Sequence, residues 1–395
     1  MIYLDNAATT RQYDQVSRRM LELMDTGFGN PSALHHLGVE AEKAVKGARR
    51  ALAATLGASE KEVVFTGGGT EADNMALMGA ARGGRRRGMR ILTTGVEHPA
   101  VLETCRALEQ QGFQVEYLPV DPWGRVDLKA LEEALGPEVA AVSIMQVNNE
   151  LGTLEPVAEA GRLIKEKSRA LFHVDAVQAY GKLPVEPALL QADLVSLSAH
   201  KIHGPKGVGA LYLRQGTNLP PLLQGGGQEG GLRSGTENVP AIAGFGLAAR
   251  MAAEGRRERL KAMEKAREHL LKGIKAEIPQ AQINSPEPCA GPEDFSGGGP
   301  EPLCSPALLN VSFCGCRGEV LLHMLEEHGI YVATGAACSS RKKGSHVLAA
   351  AGLPPERAES ALRFSFSEFN TPAEMEQVLA RLKAAVESMR RIHRR

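Results

Sequence analysis

Three short stretches combine residue types that could hold and activate a small phosphorylated cofactor. SAHKIHGPKG puts Lys201 just past an apolar run and ahead of Gly204 and Pro205. A charge at that place either reaches solvent or is neutralised by covalent use as a Schiff base, and the segment alone leaves both readings open. HVDAVQ ends another apolar run on Asp175, with Gln178 three residues on. That carboxylate either caps the next turn or keeps the ring nitrogen of pyridoxal phosphate protonated as an electron sink. GGGTEADN, residues 67–74, follows a third apolar run and opens a helical pattern, so that glycine backbone, free N–H groups and the Thr70 hydroxyl could meet a phosphate. It matches neither the dinucleotide fingerprint nor the P-loop lysine pattern.

The elements that must position these residues are legible as alternation. EVVF, RILTTG, FQVEYLPV, VAAVSIMQV, ALFHVDA, DLVSLSA and VGALYLR are separated by helical stretches such as TEADNMALMGAAR and PVAEAGRLIKEKSRA. This predicts an α/β fold with a mainly parallel seven-stranded sheet covered on both faces. Ligands of such sheets sit at the carboxyl ends of the strands, where Gly67 to Thr70, His98, Asn149, Asp175 and Ser198 to Lys201 all fall. From Ala241 to Ile278 the pattern reads as one long helical connector into a smaller α+β domain. A Pro/Gly-rich segment, residues 285–306, follows and reads as a surface loop. Beyond it come a strand (LLNVSFC), an amphipathic helix (GEVLLHMLEEHG), a loop around Cys338, and a closing strand and helix.

Composition limits the function. The 395 residues are 43% hydrophobic and 23% charged, with Lys+Arg and Asp+Glu both 46, which allows two or three domains with sizeable cores and gives no global attraction to nucleic acid or an anionic membrane. A small-molecule substrate is expected. The start MIYLDNAATT carries no basic or apolar leader pattern, and no run approaches the roughly 20 apolar residues of a membrane helix, so the expected place is the cytoplasm. Six cysteines over so long a chain in a reducing compartment predict no disulfide framework. The basic clusters RRRGMR and RRIHRR, without interleaved aromatics, read as solvated surface.

LDNAATT, FGNPSALHHLG, GGGTEADN, VEHPAVLET, VNNELG, HVDAVQ, SAHKIHGPKGVGALY, GGGQEGGLRSGTEN, GAACSS and LRFSFSEFNT occur in the order seen in cysteine desulfurases of the NifS/IscS type, fold-type I pyridoxal-phosphate enzymes. The resemblance runs over nearly the whole chain. It implies a large cofactor-binding domain, residues 15–255, and a small domain of residues 1–14 and 256–395. It implies Lys201 as the Schiff-base lysine, Asp175 as partner of the ring nitrogen, and His98 as the ring-stacking histidine that moves protons. Asn149 and Gln178 match residues near the phenolic oxygen, Asn149 also facing the substrate. Gly69, Thr70, Ser198 and His200 match the phosphate cradle. Thr236, in RSGTEN, matches a threonine that reaches the phosphate of a neighbouring subunit, which implies a homodimer with shared sites. Cys338 matches the nucleophile that takes sulfur from L-cysteine as a persulfide, leaving L-alanine, and hands it to a sulfur-acceptor protein. Arg363 matches the arginine that holds the substrate carboxylate. A selenocysteine lyase or another class-V aminotransferase-like enzyme is the alternative.

The residues around Cys338 suit its implied role: glycine, alanines and serines favour a mobile exposed loop, and Arg341, Lys342 and Lys343 favour a thiolate. The chain also departs from the family pattern. Ser367 and Glu368 stand where a Gly-Arg pair is usual, the 285–306 segment reads as an insertion, and FCGCRGE places Cys314 and Cys316 on one strand face, read as structural cysteines. Cys105, within helical VLETCRALEQ, is expected in the core.

Overall fold

The computed structural model describes residues 1–85, 88–289, 303–335 and 344–393. In chain order these are β1 (Ile2–Tyr3), α1 (Asp14–Asp25), α2 (His36–Leu56), β2 (Val63–Thr66), α3 (Gly69–Gly84), β3 (Arg90–Thr94), α4 (Pro99–Glu109), β4 (Gln114–Leu118), α5 (Leu128–Ala134), β5 (Val139–Met145), α6 (Val157–Lys167), β6 (Leu171–Asp175), β7 (Leu194–Ser198) and β8 (Gly209–Leu213). There follow α7 (Val239–Glu254), α8 (Arg256–Glu277), β9 (Ala281–Ile283), β10 (Leu308–Phe313), α9 (Gly318–Glu326), β11 (Ile330–Tyr331), α10 (His346–Ala350), α11 (Pro355–Glu359), β12 (Ala361–Ser365) and α12 (Pro372–His393).

The seven expected strands form one sheet in the order β2-β8-β7-β6-β5-β3-β4. Only β8 runs against its neighbours β2 and β7; the rest pair in parallel. β5, β6, β7 and β8 are buried at every position, as strands covered on both faces must be, which is why they read as continuous apolar runs. α3 packs across β5 to β8 and α7 packs against α1 and α2. A second, antiparallel sheet of order β12-β10-β9 and the parallel pair β1 and β11 tie both chain ends together, with Asp5 bridging Ser365. No described helix is long and apolar enough to cross a membrane.

Four expectations need correction. The single helix over Ala241–Ile278 is two, because Gly255 takes a non-helical conformation and α8 starts afresh at Arg256. β10 stops at Phe313, so Cys314 and Cys316 lie in the turn to α9 rather than on a strand, Cys316 buried and Cys314 half-exposed. The expectation against disulfides fails at Cys289 and Cys304, whose backbones pair side by side and bring their Cα atoms to 4.3 Å with the sulfurs bonded. The far end of the supposed surface loop is interior: Cys304 pairs with Thr153, Leu154 donates to the Leu303 carbonyl at 2.9 Å, and Ser305 donates to Gly152 at 2.8 Å. Cys105 is in the core, as expected, where burial pushes its thiol up to about 12. The basic clusters lie partly outside the described residues.

Candidate active site

The sheet ends its buried strands on polar residues, and these converge. Asp175 is the last residue of β6, the central strand; its Oδ1 accepts from the Val177 amide at 2.9 Å. Burial pushes its carboxyl up to about 6, while that amide and the charge of Lys201 hold it down. After β7 the chain makes one tight turn, Ala199–Lys201, that throws Lys201 back toward β6. Its Nζ donates to the carbonyls of Ala7 at 2.6 Å and Ala8 at 2.8 Å, so the N-terminal LDNAATT stretch supplies a wall. Gln178 braces the same wall, its Nε2 donating to Ala7 at 2.9 Å.

His98 caps α4, its Nδ1 accepting from the Ala100 amide at 3.1 Å. Burial, with the charge of Lys201, pulls its imidazole down to about 4, and His200 is pulled to about 4 by the same two causes. Both are neutral near pH 7. Arg363, on β12, is almost wholly buried; it donates to the Asn149 carbonyl at 2.9 Å and to the Asp5 carboxylate at 2.8 Å.

Gly69 opens α3, leaving first-turn N–H groups beside Ser198. A Cβ at Gly69 would lie 2.9 Å from a methyl of Val177 and 3.5 Å from the Ser198 side chain, so only glycine fits. One cavity of about 230 Å³ is lined by Gly69, Thr70, His98, Asn149, Asp175, Gln178, Ser198, His200, Lys201 and Arg363. Thr236 is exposed and does not line it, and Cys338 lies outside the described residues. The cavity also takes in Ala7, Ala8, Asp73, Met145 and Val177, which residue-type reasoning did not single out, although Asp73 and Val177 stand inside the quoted GGGTEADN and HVDAVQ stretches.

The lining fits pyridoxal phosphate. Five of its buried polar atoms, Asp73 Oδ1, Asn149 Oδ1, Gln178 Oε1, Ser198 Oγ and Arg363 Nε, have no hydrogen-bond partner, which is costly unless a polar ligand supplies one. A helix N-terminus for an anion, a lysine and a buried carboxylate border the same space.

Comparison with known proteins agrees. Residues 2–378 match the family model "Aminotransferase class-V". The "Cysteine desulfurase IscS" of Clostridium botulinum (strain Hall) is 42% identical over 390 residues, which span 98% of this chain and 95% of the relative. Among solved structures, a "NIFS-LIKE PROTEIN" superposes with a TM-score of 0.88 at 40% identity, covering 98% of this chain and 99% of that one. "SspA in complex with cysteine" superposes with a TM-score of 0.78 at 33% identity, covering 94% and 100%. The chain therefore belongs to the class-V aminotransferase family, among its pyridoxal-phosphate-dependent cysteine desulfurases.

Proposed function

We propose that this protein converts L-cysteine to L-alanine and passes the sulfur, as a persulfide on Cys338, to an acceptor protein serving iron–sulfur cluster assembly or the thiolation of tRNA or a cofactor. The observation that carries this reading is the single cavity shared by Lys201, Asp175, His98 and Arg363, with five buried polar atoms lacking partners. The neighbour solved with cysteine supports the choice of amino acid.

Lys201 would hold the cofactor covalently, Asp175 would face its ring nitrogen, and Gly69, Thr70, Ser198 and His200 would hold its phosphate, with Asn149 and Gln178 toward the phenolic oxygen. Bound pyridoxal phosphate supplies an electron sink for a negative charge at the substrate Cα. Arg363 orients the substrate by its carboxylate. His98, neutral at working pH, can accept a proton near Cα and return one. In the sum, the C–S bond of L-cysteine breaks, an S–S bond forms on Cys338, and the carbon that loses sulfur takes up a proton. Transfer of isotope-labelled sulfur from L-cysteine to the protein, with alanine formed in equal amount, tests this. Alanine formed without protein-bound sulfur overturns it.

Two further parts of the reading concern organisation. The large unit comprises 15–255, and the small unit 1–14 with 256–395, a division supported by the pairing of β1 with β11 and of Asp5 with Ser365. The active form is a homodimer in which Thr236 reaches the partner's phosphate. Exposed Leu21, Met24, Phe28 and Leu34 support a covered surface, since so many large apolar groups within a short stretch are unusual on a monomer. Sedimentation of a fully active monomer would sink that part.

A further inference from the structure

Beneath Asp175 runs a buried polar string that the proposed reaction does not use. Side chains alternate along a strand, so His173 and Asp175 of β6 share a face. His173 is completely buried, its Nδ1 2.8 Å from Ser143 Oγ on β5 and its Nε2 2.8 Å from Ser196 Oγ on β7. Asp73, one turn into α3, reaches the same spot: its Oδ1 lies 3.5 Å from His173 Nε2, and Ser196 stands within hydrogen-bond reach of its carboxyl group. Asp73 is 1% exposed, lines the cavity with Asp175, and leaves Oδ1 without a hydrogen bond. Among the described residues no lysine or arginine forms an ion pair with it, and His173, held neutral by burial, offers no charge.

A buried carboxylate with neither a cation nor a full set of donors is among the most expensive groups a protein can carry. Two such carboxylates lining one cavity each make the other harder to ionise. The two differ in support. Asp175 has the Val177 amide and the charge of Lys201, and it rises only to about 6; Asp73 has neither and stands well above the ordinary range. Among the described residues, the titratable groups acting on Asp73 are Asp175 and His173 from β6 and Glu97 from the turn before α4, while the charge of Lys201 acts on Asp175.

We propose that Asp73 is a positioning residue that keeps its proton at neutral pH, leaving Asp175 as the ionised member of the pair, with the string Ser143, His173 and Ser196 fixing where that proton sits. This rests on the reading of Asp175 as partner of the cofactor ring. Its consequence is that one negative charge, and not two, meets the ring nitrogen, and that an amide can replace Asp73 electrostatically while a charge cannot.

Infrared spectroscopy of the cofactor-loaded protein carrying ¹³C-labelled aspartate tests this, since the label separates aspartates from Glu97. A protonated aspartic C=O band should persist from pH 6 to 8 in the unsubstituted protein and vanish in Asp73→Asn. In Asp73→Asn the pH titration of the cofactor's visible absorbance should move by about 0.3 unit or less, because no charge is lost. The proposal is overturned by absence of a labelled protonated band in the unsubstituted protein, by its loss in Asp175→Asn alone, or by a cofactor titration displaced about one unit or more in Asp73→Asn. The unsubstituted spectrum stands even if the variant misfolds. A yellow protein that forms no persulfide would count against the desulfurase reading and leave the infrared result intact.

Discussion

Arg363, which lines the cavity, meets Asp5, 358 residues away in sequence, at 2.8 Å, so the chain's first turn and its last strand jointly position one guanidinium. The Arg363 Nη1 donates to the Asn149 carbonyl, its Nη2 to Asp5, and its Nε has no partner. Five donor hydrogens set against two single contacts leave capacity for a substrate carboxylate without dismantling the anchor.

Arg363→Ala should therefore weaken L-cysteine binding by about 2–3 kcal/mol, on the order of 30- to 150-fold in KM, and lower stability as well, because Asp5 loses its cation. Arg363→Lys should fall between, retaining charge but not the planar fork. Steady-state kinetics with a parallel thermal melt separate the two effects. A large fall in kcat at unchanged KM would show that Arg363 does not hold the carboxylate.

Lys201→Ala should lose both the visible absorbance of the bound cofactor and its fixation to the chain by borohydride, while the fold persists. Two of the lysine's hydrogen bonds go to backbone carbonyls at the cavity wall, and losing them costs about 1–3 kcal/mol. Mass measurement of the borohydride-treated variant checks this, and cofactor still fixed to the protein would displace Lys201 from the role.

The arrangement of these residues was readable to the extent that local chemistry announces it. The strands stood out as short apolar or alternating runs, buried at every position in β5 to β8 and half-exposed in the edge strand β4, and Asp175, Ser198 and Lys201 stood out because they end or follow such runs. Strands of two or three residues, β1, β9 and β11, carry too short a pattern to be seen, and the contact of Asp5 with Arg363 is a product of tertiary pairing alone. Asp73 and His173 were quoted within motifs without roles because nothing local distinguishes a polar residue buried against another from one facing solvent. The Cys289–Cys304 bond escaped because cysteine count and compartment argue against disulfides on average, whereas the pairing of two backbone segments decides the matter.

His98 is neutral well below pH 6, and the sign of its effect on stability follows. Its folded value is about 4, below the ordinary 6.5, so between those limits the unfolded chain binds more protons and folding stability drops as pH falls. His98→Gln should lose less stability than the unsubstituted protein over that window, by at most about 1.4 kcal/mol per pH unit. Urea unfolding of the two proteins at pH 6.5, 5.5 and 4.5 reads the difference, and parallel curves would refute the assignment. At pH 7.5 the same variant should retain cofactor and lose turnover by about 10²- to 10⁴-fold.

Sulfur should accumulate on Cys338, and the state of the other cysteines is the reason. A thiol attacks as thiolate, and neither of the free buried cysteines is suited to form one: burial pushes Cys105 to about 12 and raises Cys316 despite the nearby Arg390. Cys289 and Cys304 are bonded to each other. Cys314 is half-exposed but lies in the β10–α9 turn and does not line the cavity. Cys338 is flanked by Gly335 and by Arg341, Lys342 and Lys343, a small-residue, basic context that favours both reach and ionisation. Cys338→Ser should keep the cofactor spectrum and bind L-cysteine, yet form sulfide and alanine more slowly by about three orders of magnitude or more, the range lost when a covalent nucleophile is removed. Brief exposure of the unsubstituted protein to L-cysteine, followed by peptide mass spectrometry without reductant, should place one added sulfur on the Cys338 peptide. If that sulfur maps to Cys314 or Cys316, and Cys338→Ser still turns over, the nucleophile has been misassigned and the turn after β10 becomes the acceptor.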